Sequence, residues 1–286
     1  MKTRKTHHKK QKSEICSPSI KKNNFSCYSD SSLHMMKNFW NARHPDVKIN
    51  SNDGREIWNH LRENLASTCD RESCWMRQNF MKGNLNVELK SYTFAPPSPE
   101  SWVDDPNTWL TSVDIEKVMK QFEKGNNSFE FLGPSPIDFD THKIYGDCVW
   151  EELCKFQLHD CLTRNKKNIG VVFNLDPHYK EGSHWVALFI DIDRRFIFYF
   201  DSTGDSTPKE IKRFINKVKK QGKALDIKFE NIYENDVEHQ KEDTECGIYA
   251  LYFIISMLEN KKPGDFLKKR ITDNEMEKLR KLYFNS

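Results

Sequence analysis

Residues 183–204 read SHWVALFIDIDRRFIFYFDSTG, and this stretch decides the fold. Two runs within it, residues 183–192 and 196–200, are rich in Val, Ile, Phe and Tyr, the residue types that favour β-strands. A tight turn around Asp193 and Arg194 joins the two runs. The stretch therefore predicts a β-hairpin in the interior of a domain.

The length of the turn determines which side chains share a face of the hairpin. If the loop contains two residues, His184 lies opposite Thr203, and Asp201 is its diagonal neighbour on the same face. A carboxylate there can accept a hydrogen bond from one imidazole nitrogen and fix the tautomer of the ring. Asp191 and Asp193 are alternative partners, but both lie near the turn, away from His184. A loop with an odd number of residues would exchange the faces and remove this pairing.

Cys246 is the second candidate for chemistry. It precedes Gly247 and an apolar run at 248–255 that predicts a helix buried in the domain. The first turn of a helix favours a thiolate, although a buried cysteine that begins a core helix is the commoner explanation on position alone. Gln240 could donate an N–H to an oxyanion together with the backbone N–H of Cys246. His239 is a weaker alternative base, since no strand orients it.

Helices and strands alternate through the rest of this region. The pattern predicts a helix from residue 115 that Gly125 ends, a strand at 169–173, and a helix for which Thr207 is the N-cap and Gly222 the C-cap. Alternating apolar residues at 225–229 predict a further strand. Mixed elements with a hairpin favour an α+β fold over a doubly wound one.

The chain divides by composition into three parts. Residues 1–35 are Lys-, Ser- and Asn-rich and predict a basic disordered tail, residues 36–100 a helical N-terminal arm, and residues 101–286 the α+β core. Residues 1–22 contain eight Lys or Arg and one Glu, so the net charge of +3 leaves the remainder mildly acidic. Such a tail is a solvated arm or an element that binds DNA in a salt-dependent way.

Composition also excludes several classes of protein. With 37% hydrophobic residues and no apolar run of the length that a membrane span needs, the chain is expected to be intracellular and not inserted in a membrane. The eight cysteines are too sparse for a disulfide scaffold. No pair has C-x-x-C spacing, so we expect free thiols, Cys69 and Cys74 included, and no metal site.

The motifs then point to a known family. The segments Ser-His-Trp-Val-Ala-Leu (183–188), Phe-Asp-Ser-Thr-Gly (200–204) and Thr-Glu-Cys-Gly (244–247), in this order with Gln240, resemble the SUMO-protease-like cysteine peptidases of the adenovirus-protease clan. Within the clan, Thr-Glu-Cys-Gly, Arg-Ile-Thr-Asp-Asn-Glu-Met (270–276) and Glu-Ser-Cys-Trp (72–75) are similar to the polyprotein-processing proteases of African swine fever virus and related large DNA viruses. The likeness covers about residues 109–286.

The resemblance implies a fold and a set of roles. The fold would be a central mixed sheet flanked by helices, with a buried helix that carries the nucleophile, beside a helical arm. The activity would be cleavage of viral structural polyproteins after Gly-Gly-type sites during virion maturation, in the host cytoplasm and the virion, without a cofactor. The implied site comprises the nucleophile Cys246, the base His184, its orienting partner Asp201, the oxyanion-hole donor Gln240 and the substrate-binding Trp185 and Trp109.

Three alternatives remain open at this point. The same chemistry could serve a deconjugase acting on SUMO- or ubiquitin-modified host proteins, although Thr111-Ser112 stand where cellular SUMO proteases usually have Asn-Asp. Some bacterial effectors with this residue order transfer acetyl groups. A non-catalytic binding module is the least favoured, because the set of four residues is complete. The viral proteases that the chain most resembles have Asn in place of Asp201, and the role tolerates either residue.

Overall fold

The structure, a computed structural model, describes residues 13–20, 24–82 and 92–285. The chain forms two units: Met1–Pro97 with Asn285, and Ser98–Phe284 with Ser286. The predicted boundary at residue 100 falls just after this division. The basic side chains of the predicted tail, at or before residue 12 and at 21 and 22, lie outside the described residues, so the role of their charge stays a prediction.

The N-terminal unit is helical. It contains α1 (Asp30–Arg43) and α2 (Gly54–Leu65), followed by 3-10 helices at Glu72–Arg77 and Asn79–Met81. The Asp53 side chain caps α2 by accepting a hydrogen bond from Glu56 N at 3.0 Å. Trp75 and Tyr28 lie in the core of this unit, stacked at 5.8 Å between ring centroids.

The prediction of disorder up to residue 35 is wrong for part of that range. Tyr28 and Leu33 are fully buried, and Ser29 caps α1 by accepting from Ser32 N. A few apolar side chains without periodicity anchor this segment, because they contact residues that are distant in sequence. The Tyr28 hydroxyl, for example, donates to Glu72 O at 2.8 Å.

The second unit is built on a five-stranded mixed sheet. Its strand order is β1-β2-β3-β4-β5, with β1/β2 and β4/β5 parallel and the two middle pairs antiparallel. The strands are β1 (Phe129–Pro136), β2 (Asn168–Asn174), β3 (Trp185–Asp191), β4 (Phe196–Phe200) and β5 (Asn231–Glu234). The helices are α3 (Ser112–Gly125), α4 (Glu151–Cys154), α5 (Leu158–Thr163), α6 (Lys209–Ala224), α7 (Cys246–Leu258), α8 (Gly264–Lys268) and α9 (Asp273–Tyr283), with a 3-10 helix at Glu100–Val103. The α+β prediction is confirmed.

The hairpin of β3 and β4 has the predicted register. Ala187 pairs with Phe200 and Asp191 with Phe196, which leaves Asp193 and Arg194 as the central residues of the turn. Every residue of both strands is buried. Helices cover both faces of the sheet, which explains why these strands read as continuous apolar runs rather than alternating ones.

Helix α7 covers one face of the sheet. It is buried along nearly its whole length, and Phe253 stacks on Phe200 of β4 at 4.8 Å between ring centroids. On the opposite face, α6 buries Ile211, Phe214 and Val218. The sheet therefore holds the N-terminus of α7, where Cys246 lies, against the ends of β3 and β4.

Three local predictions differ from the structure. Thr207 does not cap α6; its hydroxyl and its N–H donate to the Glu234 carboxylate in β5. Gly222 does not end α6, which continues to Ala224 and has Leu225 as its C-cap; the Leu225 N–H donates to Gly222 O and Lys223 O. Residues 225–229 form no strand, since Asp226 has a φ of 57° and interrupts the extended backbone.

The expectation of free thiols is also wrong for six cysteines. The structure contains the disulfides Cys16–Cys27, Cys69–Cys74 and Cys148–Cys154, while Cys161 and Cys246 are free and buried. Each pair is close in sequence, and the turn between its members brings the Cα atoms within 5.2–6.2 Å. Spacing alone does not show such turns.

Among the described residues, none of the helices has both the length and the apolar character needed to cross a bilayer.

Candidate active site

His184 immediately precedes β3, and its ring reaches across the hairpin to the end of β4. Its Nε2 lies 2.7 Å from Asp201 Oδ1, the distance of a short charge-assisted hydrogen bond. This is the diagonal pairing that the two-residue turn predicts. Because Nε2 faces the carboxylate, Nδ1 is left for the hydrogen bond with Cys246. That hydrogen bond is one of the interactions that raise the pKa of His184.

Asp201 is fully buried, and every contact of its carboxylate is a hydrogen-bond donor. Thr203 donates to Oδ1 from both its backbone N at 3.0 Å and its hydroxyl at 2.8 Å, and the Tyr199 hydroxyl lies 3.4 Å from Oδ2. Burial raises the pKa of Asp201, but the His184 hydrogen bond and charge and the Thr203 donors outweigh it, so that the pKa is lowered. The carboxylate is therefore ionised at neutral pH.

Asn235, which sequence reasoning missed, fixes the backbone of Asp201. Its Oδ1 accepts from Asp201 N at 2.8 Å, and its Nδ2 donates to Asp201 O at 2.7 Å. Asn235 is 1% exposed and directly follows β5. The parallel pairing of β5 with β4 brings Asn235 close to Asp201. Because the sequence did not predict β5, it did not reveal this contact.

His184 is held in its protonated form. Burial lowers the pKa of this imidazole, but the hydrogen bonds with Asp201 and with Cys246 and their charges outweigh burial and raise the pKa to about 10. An imidazolium is thus the stable species at neutral pH. Reactive cysteines in proteins are typically found beside such a cation.

Cys246 is the first residue of α7 and is 1% exposed. Its place in the first helical turn puts the sulfur near unpaired backbone N–H groups. A glycine is needed at position 247 because Leu110 lies against it: a Cβ at Gly247 would sit 3.0 Å from the Cβ of Leu110. A larger residue would push the helix end away from Leu110.

Gln240 lies in the loop between β5 and α7 and is 6% exposed. Its Oε1 accepts from the Ser202 hydroxyl at 2.8 Å, and its Nε2 donates to Glu242 O at 2.5 Å. The backbone N of Gln240 also donates to Ser202 O at 2.9 Å. These bonds orient the amide firmly and occupy one of the two hydrogens of Nε2.

The rival residues are all engaged elsewhere. His239 is fully buried, with Nδ1 accepting from Ile271 N at 3.0 Å and Nε2 3.1 Å from Phe266 O, and burial lowers its pKa. A neutral ring with both nitrogens bonded to backbone has no free atom for base catalysis. Asp191 binds Arg194, and Asp193 binds Lys167, both at the far end of the hairpin.

An ion pair buried behind Cys246 was also missed by sequence reasoning. Glu245 and Arg280 are 2% and 4% exposed, and Arg280 Nη2 lies 3.4 Å from Glu245 Oε1. The same guanidinium donates to Thr244 O at 2.9 Å and to Thr108 O at 2.9 Å. Arg280 belongs to α9, so this helix ties the segment before Cys246 to the segment before Trp109.

A groove of about 670 Å³ has Gly182 and Trp185, close to His184 in sequence, among its lining residues. Trp185 and Trp109 both line it, and the Trp185 indole is fixed by donating to Leu110 O at 3.0 Å. Trp185 is 8% exposed, whereas Trp109 is 37% exposed and reaches the surface. Neither His184 nor Cys246 lines the groove. Two residues that do line it lie next to them: Trp185 follows His184 in sequence, and Leu110 contacts Gly247, which follows Cys246.

Charged side chains line a second pocket, which does not include His184 or Cys246. This pocket, beneath the segment 241–245, is lined by side chains of both signs, among them Lys241, Asp243, Arg270 and Glu277. Three potential metal ligands, His142, Cys148 and Cys154, come together in the part of the chain between β1 and the end of α4.

Two family profiles match the chain. The profile described as "Ulp1 protease family, C-terminal catalytic domain" matches residues 159–286, and the profile of the vaccinia virus I7 processing peptidase matches residues 99–218. Together the matched ranges include His184, Asp201, Gln240 and Cys246.

Individual proteins match over most of the chain. A protein of Acanthamoeba polyphaga mimivirus named as a thiol protease is 27% identical over 298 residues, which cover 95% of this chain and 93% of that protein. The SUMO-1 cysteine protease of African swine fever virus is 30% identical over 246 residues, which cover 79% of this chain and 86% of that protein. The crystal structure of the protease of that virus has the same fold, with a TM-score of 0.64, 23% identity and coverage of 95% of each chain.

The His184–Asp201 contact predicts how the imidazole titrates. Wild-type His184 is expected to stay protonated at pH 8 and to lose its proton only as the pH approaches about 10. Asp201→Asn removes the negative charge that raises this pKa and leaves only a neutral amide acceptor, so the transition moves to lower pH. Histidine-selective NMR titration measures both. His239, whose pKa is lowered by burial, serves as the internal control and remains neutral in both proteins. A His184 transition that does not move in Asp201→Asn would contradict the assignment.

Arg280 is expected to act as a positioning residue for Cys246. Arg280→Met leaves the buried Glu245 carboxylate unpaired, which costs about 3–5 kcal/mol of folding free energy, and it releases the segment before Cys246. Urea unfolding measures the first effect. The rate of Cys246 alkylation by iodoacetamide, below the unfolding range, measures the second and is expected to fall, because Cys246 loses its fixed position beside His184.

The double variant Arg280→Met/Glu245→Gln separates the two effects. It removes the unpaired charge and should recover part of the stability while alkylation of Cys246 remains slow. Recovery of the full alkylation rate together with stability would mean that Arg280 acts on folding alone.

Proposed function

The chain belongs to the Ulp1-like family of cysteine proteases, and from that premise we propose that it is a viral endopeptidase that cleaves structural polyproteins after Gly-Gly-type sites during virion maturation. The observation that carries the proposal is the charged pair of His184 and Asp201 directed at Cys246 beside a groove with tryptophan walls. Similarity to viral proteases over most of the chain supports a viral substrate. The expected places of action are the host cytoplasm and the virion.

In the proposed mechanism, the Cys246 thiolate attacks the carbonyl carbon of the scissile peptide bond. His184, as imidazolium, gives its proton to the departing amine, the C–N bond breaks, and a thioester remains on Cys246. The neutral His184 then takes a proton from water while the water oxygen attacks the thioester. The thiolate leaves, and the carboxylate product departs. Asp201 keeps the imidazole oriented and stabilises its positive charge throughout.

The oxyanion of each tetrahedral intermediate would be bound by two N–H groups. One is the backbone N–H of Cys246, which is unpaired because it lies in the first turn of α7. The other is the second hydrogen of Gln240 Nε2, since the first is directed at Glu242 O. The hydrogen bonds from Ser202 and to Glu242 hold this amide in a fixed orientation, so little reorganisation is needed as charge develops.

The preference for glycine would follow from the walls near the site. Trp185 is held by Leu110 O, and Leu110 itself presses on Gly247, so neither wall can withdraw to admit a large side chain. We propose that the groove receives the part of the substrate that continues away from the scissile bond. Trp109, which is more exposed, would cover the substrate there.

One specific observation favours a second candidate, a deconjugase of SUMO or another ubiquitin-like protein. The African swine fever virus relative carries the name SUMO-1 cysteine protease, and one matching profile is that of the Ulp1 proteases. Against it, Thr111 and Ser112 replace the Asn-Asp that such enzymes usually have, and Thr111 is used to cap α3 together with Asp114. The chemistry would be the same for both candidates.

A substrate panel tests the proposal. Purified full-length chain is incubated with Gly-Gly-X peptides, with SUMO and ubiquitin fusions, and with matched peptides in which Ala-Leu replaces Gly-Gly. We expect cleavage of the Gly-Gly-X peptides after the second glycine and loss of all cleavage in Cys246→Ala. Cys161→Ser is the matched control, because burial raises the pKa of that thiol to about 12 and leaves it unreactive.

The panel has two contradicting outcomes. Cleavage of the fusions without cleavage of the peptides would replace the endopeptidase proposal with the deconjugase. Cleavage that persists in Cys246→Ala would remove the assignment of the nucleophile.

Gln240→Leu tests the oxyanion hole. The substitution keeps the size of the side chain and removes its donors, and loss of one such donor lowers kcat by about 10²–10³-fold, with little change in KM. Ser202→Ala serves as the comparison: it removes only the hydroxyl that holds Gln240 Oε1 and should lower kcat much less. A Gln240→Leu enzyme with kcat within a few-fold of wild type would exclude Gln240 from the hole.

A further inference from the structure

The segment between β1 and α4 contains a cluster that the protease chemistry does not use. Within residues 13–20, 24–82 and 92–285, one group of three potential metal ligands meets the distance requirement, and it consists of His142, Cys148 and Cys154. Their ligand atoms all lie within 4.8 Å of one another. His142 Nε2 is 3.9 Å from Cys148 Sγ.

The local backbone explains why these three residues meet. His142 and Cys148 face each other across an antiparallel bridge closed by a turn, in which Lys143 N donates to Asp147 O at 2.7 Å. Cys154 is the last residue of α4, one helical turn after the bridge. The cluster is therefore assembled from local structure and does not depend on a distant part of the chain.

This segment forms part of the wall of the substrate groove. Lys143, Val149 and Trp150 all line the groove that Trp185 borders on its other side. Yet the tip of the segment has little to hold it, since Ile144 and Tyr145 are 97% and 94% exposed. The firm apolar anchors are Phe139 before the segment and Leu153 after it. A cross-link within the segment would limit the motion of this wall.

The disulfide Cys148–Cys154 provides such a cross-link in the structure, but it leaves His142 unexplained. A disulfide sulfur is a weak acceptor and needs no imidazole beside it. An exposed histidine aimed at a pair of cysteines is, in contrast, the usual arrangement of a soft metal site. Disulfides also do not persist in a reducing cytosol, where a metal ion can take over the same structural role.

We propose that His142, Cys148 and Cys154 form a Zn²⁺ site when the disulfide is reduced, and that the ion then holds the wall of the groove. A dithiol reductant transfers two electrons and two protons to the Cys148–Cys154 bond and becomes a disulfide itself. The two thiols then lose their protons to solvent as they bind Zn²⁺, and neutral His142 adds the Nε2 lone pair.

Zinc fits this donor set on geometric grounds. Zn²⁺ takes thiolate ligands at about 2.3 Å and imidazole at about 2.0 Å in a tetrahedron, which separates neighbouring ligand atoms by roughly 3.5–3.8 Å. The distance of 3.9 Å between His142 Nε2 and Cys148 Sγ is close to this separation. The two sulfurs move apart to it once their bond is reduced. Because His142 is exposed, a water molecule completes the fourth position.

Metal binding is measured in a Cys246→Ala background, since Cys246 and His184 would themselves bind zinc. The full-length chain is reduced with a phosphine and titrated with Co²⁺, whose thiolate charge-transfer absorption reports sulfur ligation, and then with Zn²⁺ in competition. We expect one tightly bound equivalent in the parent that is lost in Cys148→Ser. His142→Ala should weaken binding at this site by at least about tenfold, whereas Cys161→Ser should leave it unchanged.

The other two disulfides provide thiols in both the parent and the variants, so the comparison isolates this site. Equal binding by the reduced parent and by Cys148→Ser would overturn the proposal. Unchanged affinity in His142→Ala would also overturn the proposal, because the site would then consist of two thiolates without the histidine. Neither result depends on protease activity, so failure here is distinct from failure of the proposed function.

Discussion

The register of the β3–β4 hairpin is the constraint on which the site depends. A turn with two central residues places His184 and Asp201 on one face, 2.7 Å apart between Nε2 and Oδ1. Side chains of a strand alternate between its two faces, so a shift of one residue would direct Asp201 to the other side of the sheet. The apolar side chains of both strands are buried on either face, which makes every alternative register expensive. Packing of the core thus fixes the chemistry at its edge.

The burial of Asp201 determines the charge state of the site. A fully buried carboxylate is stable only when hydrogen-bond donors and a positive charge surround it. Thr203 and Tyr199 supply donors, and His184 supplies the charge, which is why its own pKa rises to about 10. Cys161 shows the opposite case, because burial without a cationic partner strong enough to offset it raises its pKa to about 12.

Features that depend on residues close in sequence could be predicted from the sequence, and features that depend on distant residues could not. The hairpin, its register and the helix that begins at Cys246 depend on neighbouring residues, and all three are confirmed. The edge strand β1 was missed because Gly133, Pro134 and Pro136 interrupt its apolar pattern, and it is ordered by pairing with β2. Asn235 and Arg280 were missed for a related reason. Each reaches the site across a large separation in sequence, where neither periodicity nor a motif records the contact.

The segment around Leu110 connects the Cys246 end of α7 with the tryptophan-lined groove. Its backbone carbonyl accepts from the Trp185 indole, and its side chain rests on Gly247, one residue after Cys246. Arg280 binds Thr108 O just before this segment and Thr244 O just before Cys246, so one guanidinium holds both ends of the arrangement. A displacement of the groove wall is therefore transmitted to the first turn of α7 through rigid, buried contacts. The proposed preference for glycine and the placement of Cys246 would both follow from this close approach, and a substitution that widened the groove at Leu110 would also release Cys246.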